Sequence, residues 1–96
     1  MTDLEMTKLC AEAMGWIEKA RRYGMKIDPL HDDAQAMALV KKFHISIGAP
    51  FPDTPQWECE IGGRFLPSGI KPFYGWATKD LNRAIVMSVA KMQAYK

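Results

Sequence analysis

The segment PLHDDAQAMALVKKF, residues 29–43, decides how the rest of the chain is interpreted, because it holds a complete helix with both ends marked. Asp32 and Asp33 can cap the N-terminus and complement its dipole, and Lys41 and Lys42 suit the C-terminal end. Apolar residues recur at helical spacing and predict one buried face: Ala36, Met37, Val40 and Phe43. The segment carries no catalytic group in a reactive arrangement, so its pattern indicates structure rather than chemistry.

A second amphipathic helix opens the chain. Thr2 followed by Glu5 forms a capping box. The apolar stripe behind it comprises Met6, Leu9, Cys10, Ala13, Met14 and Ile17. This helix either ends at Gly15 or continues to Arg22 and ends at Gly24, and the helix formers before Arg22 slightly favour the longer form.

The third helix lies at the other end of the chain. Thr78 is the predicted N-cap, and Asp80 adds negative charge to the first turn. The apolar stripe comprises Leu81, Ala84, Ile85, Ser88, Val89 and Met92, and the helix ends near Ala94.

The middle of the chain has β character. Residues 44–47 alternate with Ile45 and Ile47 on one side, and residues 48–55 form a proline-rich loop. Residues 57–61 alternate cleanly, which directs three side chains inward (Trp57, Cys59 and Ile61) and two outward (Glu58 and Glu60).

A glycine pair follows this strand. Gly62 and Gly63 predict a two-residue hairpin turn that returns through residues 64–66, and residues 73–77 predict a further short strand. The predicted order is therefore α-α-β-β-β-α. It indicates an α+β fold in which a small antiparallel three-stranded sheet packs with about three helices. Residues 1–96 form one domain.

Composition excludes several classes of protein. The chain is 48% hydrophobic and 25% charged, as in ordinary globular proteins. Thirteen basic and eleven acidic residues give a net charge of +2, which is too small to indicate nucleic-acid binding by itself. No apolar run approaches a membrane span, and the N-terminal residues lack a secretory signal. These features predict a protein that stays in the cell that makes it.

The cysteines and histidines predict no metal site and no cofactor. Cys10 and Cys59 fall on predicted apolar faces, so they are interpreted as buried thiols in a reducing compartment, although a disulfide remains possible. His31 and His44 lack metal-ligand spacing. Since capping explains Asp32 and its neighbour, the polar run that begins at His31 is interpreted as a helix start rather than an acid–base cluster.

Three segments together resemble a known family. They are AEAMGW (residues 11–16), the helix of residues 29–43, and ATKDLNRAIVMSVAKM (residues 77–92). The pattern is similar to the phage ABA sandwich domain family of small proteins from bacteriophages and prophages, and the resemblance covers nearly the whole chain. It implies an αβα sandwich in the cytoplasm of a bacterial host, and it implies no reaction or catalytic residue. Glu58 and Glu60 depart from this pattern, because a sandwich buries both sheet faces; either their strand is an edge or one face is only partly covered.

Two stretches could bind a partner. Residues 18–22 end in Arg21 and Arg22, which are typical of a solvated helix end but could contact an acidic partner or a phosphate. The aromatic–basic stretch of residues 64–76 is the better candidate. Its candidate binding residues are Arg64, Lys71, Tyr74 and Trp76.

These observations predict a non-enzymatic phage or prophage accessory protein that binds a host or phage protein, inhibiting or sequestering part of the host machinery or defence. One alternative is a protein that binds nucleic acid, or a nucleotide, through the aromatic–basic strand face. Another is a small homo-oligomeric structural component. No membrane partner is expected.

Overall fold

The computed structural model describes residues 1–50, 52–53, 55–62 and 73–94, except for the side chains at 62 and 73–77. The fold is α+β, as predicted. Its elements are α1 (Asp3–Met14), α2 (Trp16–Tyr23), α3 (Asp33–Phe43), β1 (Ser46–Gly48), β2 (Trp57–Gly62), β3 (Phe73–Thr78) and α4 (Leu81–Ala94). The strands form one antiparallel sheet in the order β1-β2-β3.

The first predicted helix is interrupted, so three helices rather than two precede the sheet. Gly15 adopts the left-handed conformation, with φ 70°, and its N–H donates to the carbonyls of Ala11 and Glu12. Glycine enters this region without the penalty that a Cβ imposes. Of the two alternatives for the end of α1, termination at Gly15 is correct, and α2 ends in the same way at Gly24, with φ 67°.

The N-terminal caps of α1 and α3 are confirmed. The hydroxyl oxygen of Thr2 accepts from the Glu5 N–H at 3.1 Å. One carboxylate oxygen of Asp32 accepts from the N–H groups of Ala34 and Gln35, at 2.9 and 3.2 Å. Each cap satisfies donors that the first turn of a helix leaves without a backbone partner.

The buried face of α3 is rotated from the predicted one. Leu39 is fully buried beside Ala36, whereas Met37 is 43% exposed. Val40 and Phe43 are half-buried, as residues at the margin of the buried stripe should be. Both Met37 and Leu39 fit a helical period, and the packing of α3 against α4 selects Leu39.

The first strand begins later than predicted. His44 takes the left-handed conformation, with φ 52°, as the residue that ends α3. The strand therefore starts at Ser46 instead of residue 44, and Ile45 is buried just before it.

The predicted two-residue hairpin at Gly62 and Gly63 is wrong. Strand β2 runs through Gly62, which is the Cα partner of Phe73 in β3, so residues 63–72 connect the two strands. The predicted return strand at residues 64–66 lies outside the described residues.

The last helix is capped by Asp80 rather than by the predicted Thr78, which is the final residue of β3. The Asp80 carboxylate accepts from the Arg83 N–H at 3.4 Å, and its carbonyl accepts from the Ala84 N–H at 3.0 Å. Strand and helix are thus joined through Lys79 and Asp80 alone.

Helix α4 lies between the sheet and the other helices. The Ser88 hydroxyl is 3.3 Å from the Cys59 carbonyl in β2. The Val86 carbonyl accepts from the Cys10 thiol of α1 at 3.5 Å. Since residues two apart project to nearly opposite sides of a helix, α4 faces β2 on one side and α1 on the other. Its buried residues accordingly surround the axis: Ala84, Ile85, Val86, Ser88, Val89, Ala90 and Met92.

The face of β2 that points away from α4 is open to solvent. Glu58 and Glu60 are exposed, while Cys59 and Ile61 on the other face of β2 are buried. Since β2 is the central strand, an edge position does not explain the two glutamates. One face of the sheet is open at β2, which antiparallel sheets tolerate.

The rotated face of α3 gives a stability prediction. Leu39→Ala should lower the free energy of unfolding by about 2–5 kcal/mol, because it removes buried methyl groups and leaves a cavity. Met37→Ala on the same helix should change it by only about 0.5 kcal/mol, as is usual at exposed positions. Urea unfolding of the two variants measures both values, and equal losses would contradict the observed rotation.

Candidate functional site

Helix α2 presents a basic surface, defined here by Lys19, Arg21 and Arg22. All three residues are exposed. The helix packs beside α1, and the side chain of Trp16, which is 5% exposed, anchors its first turn. Apart from Trp16 and Ala20, every residue of α2 is exposed, so the basic surface is accessible to a partner.

The charges of the basic surface are only weakly compensated. Arg22 Nε lies 3.6 Å from a Glu18 carboxylate oxygen, and both side chains are more than 60% exposed, at 69% and 64%. Exposed pairs of this kind contribute little to stability and leave the cation hydrated. Among the described residues, Lys19 and Arg21 have no carboxylate within salt-bridge distance. Apolar area adjoins these cations, since Ile17 is 40% and Tyr23 79% exposed.

The other predicted binding residues lie on or near β3. The backbone of Tyr74 pairs with Ile61, and that of Trp76 pairs with Cys59. Both partners are buried. The side chains of Tyr74 and Trp76, and the whole of Arg64 and Lys71, lie outside the described parts of the chain.

The predicted binding residues are therefore distributed over different elements. Arg21 and Arg22 belong to α2 beside α1, whereas Tyr74 and Trp76 belong to β3, which packs against α4 and β2. The binding role of each of the two stretches stays a prediction.

A polar network holds the connector between α2 and α3. The Gln35 side chain accepts from the Asp28 N–H at 2.8 Å and donates to the Lys26 carbonyl at 2.6 Å. The imidazole Nδ1 of His31 lies 2.9 Å from an Asp28 carboxylate oxygen. Lys26, Asp28 and His31 line part of an open depression of about 520 Å³. The capping interpretation of Asp32 is confirmed here, and the described residues contain no group of three or more potential metal ligands.

The two cysteines are free and buried. Burial raises the pKa of the Cys10 thiol to about 12 and that of the Cys59 thiol to about 11. Since the thiolate is the nucleophile, both groups are held in their unreactive form near neutral pH.

Two long-range contacts at the start of α4 could not be predicted from local patterns in the sequence. Both terminal nitrogens of Arg83 donate hydrogen bonds to the Asp3 carboxylate, at 2.8 and 3.0 Å. Asn82 donates to the Asp33 carboxylate at 2.8 Å and lies 3.4 Å from the Leu30 carbonyl. The first turn of α4 therefore holds the N-terminal ends of both α1 and α3.

The open sheet face carries two carboxylates. We define it by Glu58 and Glu60 on β2 and by their register partners, which are Gly48 and Ser46 on β1 and Ala77 and Gly75 on β3. Both glutamates are exposed, and among the described residues neither has a cation within salt-bridge distance. Sequence reasoning placed both glutamates outward but did not place small residues on each side of them.

Comparison with known proteins identified no relative of this chain. No protein family, curated protein or solved structure matches the chain. Among the described residues, no helix has the length and apolar character needed to cross a membrane.

The buried thiols give a reactivity prediction. At about pH 8, native protein should react with dithiobis(nitrobenzoate) far more slowly than protein in urea, because both thiols are inaccessible and protonated. A Ser46→Cys variant supplies the control, since Ser46 is exposed and its new thiol should react at once. Native thiols that react as fast as the one at position 46 would contradict this result.

The Asp3–Arg83 pair gives a pH prediction. The hydrogen bonds from Arg83 lower the pKa of Asp3 below its ordinary value of 3.8. The ionised carboxylate therefore stabilises the fold at pH values above the pKa that Asp3 has in the unfolded chain. This stabilisation is lost as the pH falls through the lower pKa that Asp3 has in the folded protein. The difference in free energy of unfolding between wild type and Asp3→Asn should be constant near neutral pH and shrink below pH 3.8.

Urea unfolding across this range measures the effect. In an Arg83→Gln background, Asp3→Asn should cause a smaller change at neutral pH, because the bidentate partner has already been removed. An undiminished effect of Asp3→Asn in that background would show that another group stabilises the Asp3 carboxylate.

Proposed function

We propose that this protein is a non-enzymatic accessory protein of a phage or prophage, which acts by binding a protein of the bacterial host. In this proposal it inhibits or sequesters a component of host machinery or defence in the host cytoplasm. The phage origin and the membership of the ABA sandwich family rest on the resemblance of residues 11–16, 29–43 and 77–92 to that family. The binding role rests on one observation, the basic surface of α2.

The basic surface has the physical properties of a protein-binding site. Two guanidinium groups can form bidentate, charge-assisted hydrogen bonds with carboxylates. Exposed Tyr23 and Ile17 add apolar area at the same helix. Arginine and aromatic side chains are the residue types that most often dominate binding energy at protein interfaces.

The groups most suited to chemistry have structural roles instead. The Cys10 thiol donates to a backbone carbonyl of α4, and Asp32 caps α3. Asp28 is held through its N–H by Gln35 and through its carboxylate by His31. These assignments support binding rather than catalysis as the activity.

A nucleic-acid partner is the second candidate, because the same two arginines can contact phosphates. This second candidate would be supported by a base-stacking surface on or near β3, formed by Arg64, Lys71, Tyr74 and Trp76. This candidate predicts affinity for oligonucleotides that falls steeply with added salt.

Charge reversal separates the basic surface from basic residues in general. The double variant Arg21→Glu, Arg22→Glu should lose a host protein that wild type captures, with recovery falling by about tenfold or more, equivalent to about 1.4 kcal/mol. The matched control is Lys41→Glu, Lys42→Glu, which reverses two exposed charges in the last turn of α3.

Quantitative mass spectrometry of captured bacterial lysate measures recovery, and both variants must first show a cooperative unfolding transition. A partner retained by the control and lost by the α2 variant supports the proposal. Equal recovery by the two variants contradicts a role for the basic surface. Titration of labelled single-stranded DNA and RNA at low and high salt tests the second candidate, and flat titrations at low salt remove it.

A further inference from the structure

Residues 15–24, which we call the strap, have a glycine in the left-handed conformation at each end. Gly15 has φ 70° and Gly24 has φ 67°. Apart from the chain neighbours, no heavy atom lies within 4 Å of an ideal Cβ at either position. The backbone conformation rather than close packing therefore requires glycine there, and each end of the strap can change direction without disturbing a packed neighbour.

One buried side chain attaches the strap to the body of the protein. Trp16 is 5% exposed, Ala20 is half-buried, and the other residues of the strap are exposed. The ion pair between Glu18 and Arg22 lies within α2, so it does not attach the helix to another element. The burial of Trp16 is thus the main contact that holds the strap in place.

Helix α2 is weak by itself. It has eight residues, whereas an isolated helix of fewer than about 12–15 residues is marginal in water. Its N-cap residue is Gly15, which has no side chain to accept from the first turn, while Thr2 and Asp32 cap α1 and α3. The helix therefore depends on the burial of Trp16 more than on its own backbone.

The segments on either side of the strap are held without it. Helix α1 buries Met6 and Cys10 and packs against α4. The Gln35 side chain holds the Lys26 carbonyl and the Asp28 N–H. A helix of eight residues is about 12 Å long, and the same residues can extend to about 26–29 Å. The strap can therefore lose its helix without pulling either flank from the core.

We propose that the strap opens locally while the rest of the domain stays folded, with Trp16 as the latch that holds it closed. In the closed helix Arg21 and Arg22 are rotated by about 140° and 240° from Trp16, so they point away from the face that it buries. Opening removes this restriction and lets the indole reach the same partner as the two guanidinium groups. Tryptophan and arginine are enriched among the residues that dominate binding energy. The use of the open strap in binding rests on the proposed function, whereas the opening itself does not.

Native-state hydrogen exchange of the whole protein, followed by NMR without any partner, tests the opening. The amides of residues 20–24 donate hydrogen bonds within α2. They should exchange at least about tenfold faster than the buried amides of α4. Urea below the unfolding transition should leave their rates unchanged and accelerate those of α4, because local opening exposes little surface and global unfolding exposes much.

Two substitutions of buried residues separate local opening from global unfolding. Trp16→Ala should accelerate exchange at residues 20–24 by about tenfold or more, because it destabilises the closed strap relative to the open one. The matched control is Met6→Ala, since Met6 is 2% exposed and stays buried when the strap opens. It should accelerate exchange in α4 and leave residues 20–24 unchanged.

Equal acceleration of residues 20–24 by the two variants overturns the proposal, as does a urea dependence of these amides in wild type that matches that of α4. The measurement on wild type decides the question even where Trp16→Ala does not fold.

The outcome is separable from that of the proposed function, since exchange is measured without a host protein. If host capture depends on Arg21 and Arg22 while residues 20–24 exchange only by global unfolding, the proposed function stands and local opening fails. If the strap opens locally but wild type captures no host protein, the converse holds.

Discussion

The burial of α4 on both of its sides is the constraint on which the rest of this fold depends. Val86 faces α1 and Ser88 faces the sheet, and both are fully buried. A helix in this position has to satisfy any polar side chain it carries, because an unpaired buried hydroxyl costs about 1–3 kcal/mol. Ser88 meets this condition by donating its one hydroxyl proton to the Ala84 carbonyl one turn back, at 2.8 Å, and the Cys59 carbonyl of β2 lies 3.3 Å from the same hydroxyl oxygen. The last helix and the central strand are thereby in direct contact at this residue.

The same constraint explains how the first turn of α4 organises the other helices. Since α1 and α3 both pack against α4, their N-terminal ends lie within reach of Arg83 and Asn82. Asp3 and Asp33 then carry out two roles, complementing the dipole of their own helix and binding a side chain of α4. Loss of α4 would remove both long-range contacts together with the apolar core, so the helices and the sheet are expected to unfold cooperatively.

Local signals in the sequence predicted the elements better than their mutual arrangement. Capping at Thr2 and Asp32 was predictable because it involves residues three or fewer apart. The choice of Leu39 over Met37 was not, because helical periodicity leaves the rotation of a short helix undetermined until its partner is known. The hairpin at Gly62 failed for a related reason: a glycine pair permits a tight turn, but pairing along β2 and packing on α4 decide the register. The Asp3–Arg83 pair joins residues 80 apart, beyond any local pattern.

The candidate surfaces show why net charge is a poor guide to what this chain can bind. A net charge of +2 excluded a strongly basic protein, yet this total averages over the cationic helix α2 and an anionic face of β2. The exposure of Arg21 and Arg22 was predictable from a solvated helix end, whereas the pairing of Glu58 with small residues on β1 and β3 required the strand register. Salt screens exposed charges over a Debye length of about 8–10 Å, so a partner at an interface experiences mainly the charges of the surface that it contacts. The sign of that local charge therefore matters more than the net charge of the chain. Recognition of either surface therefore selects partners by complementary charge at that surface.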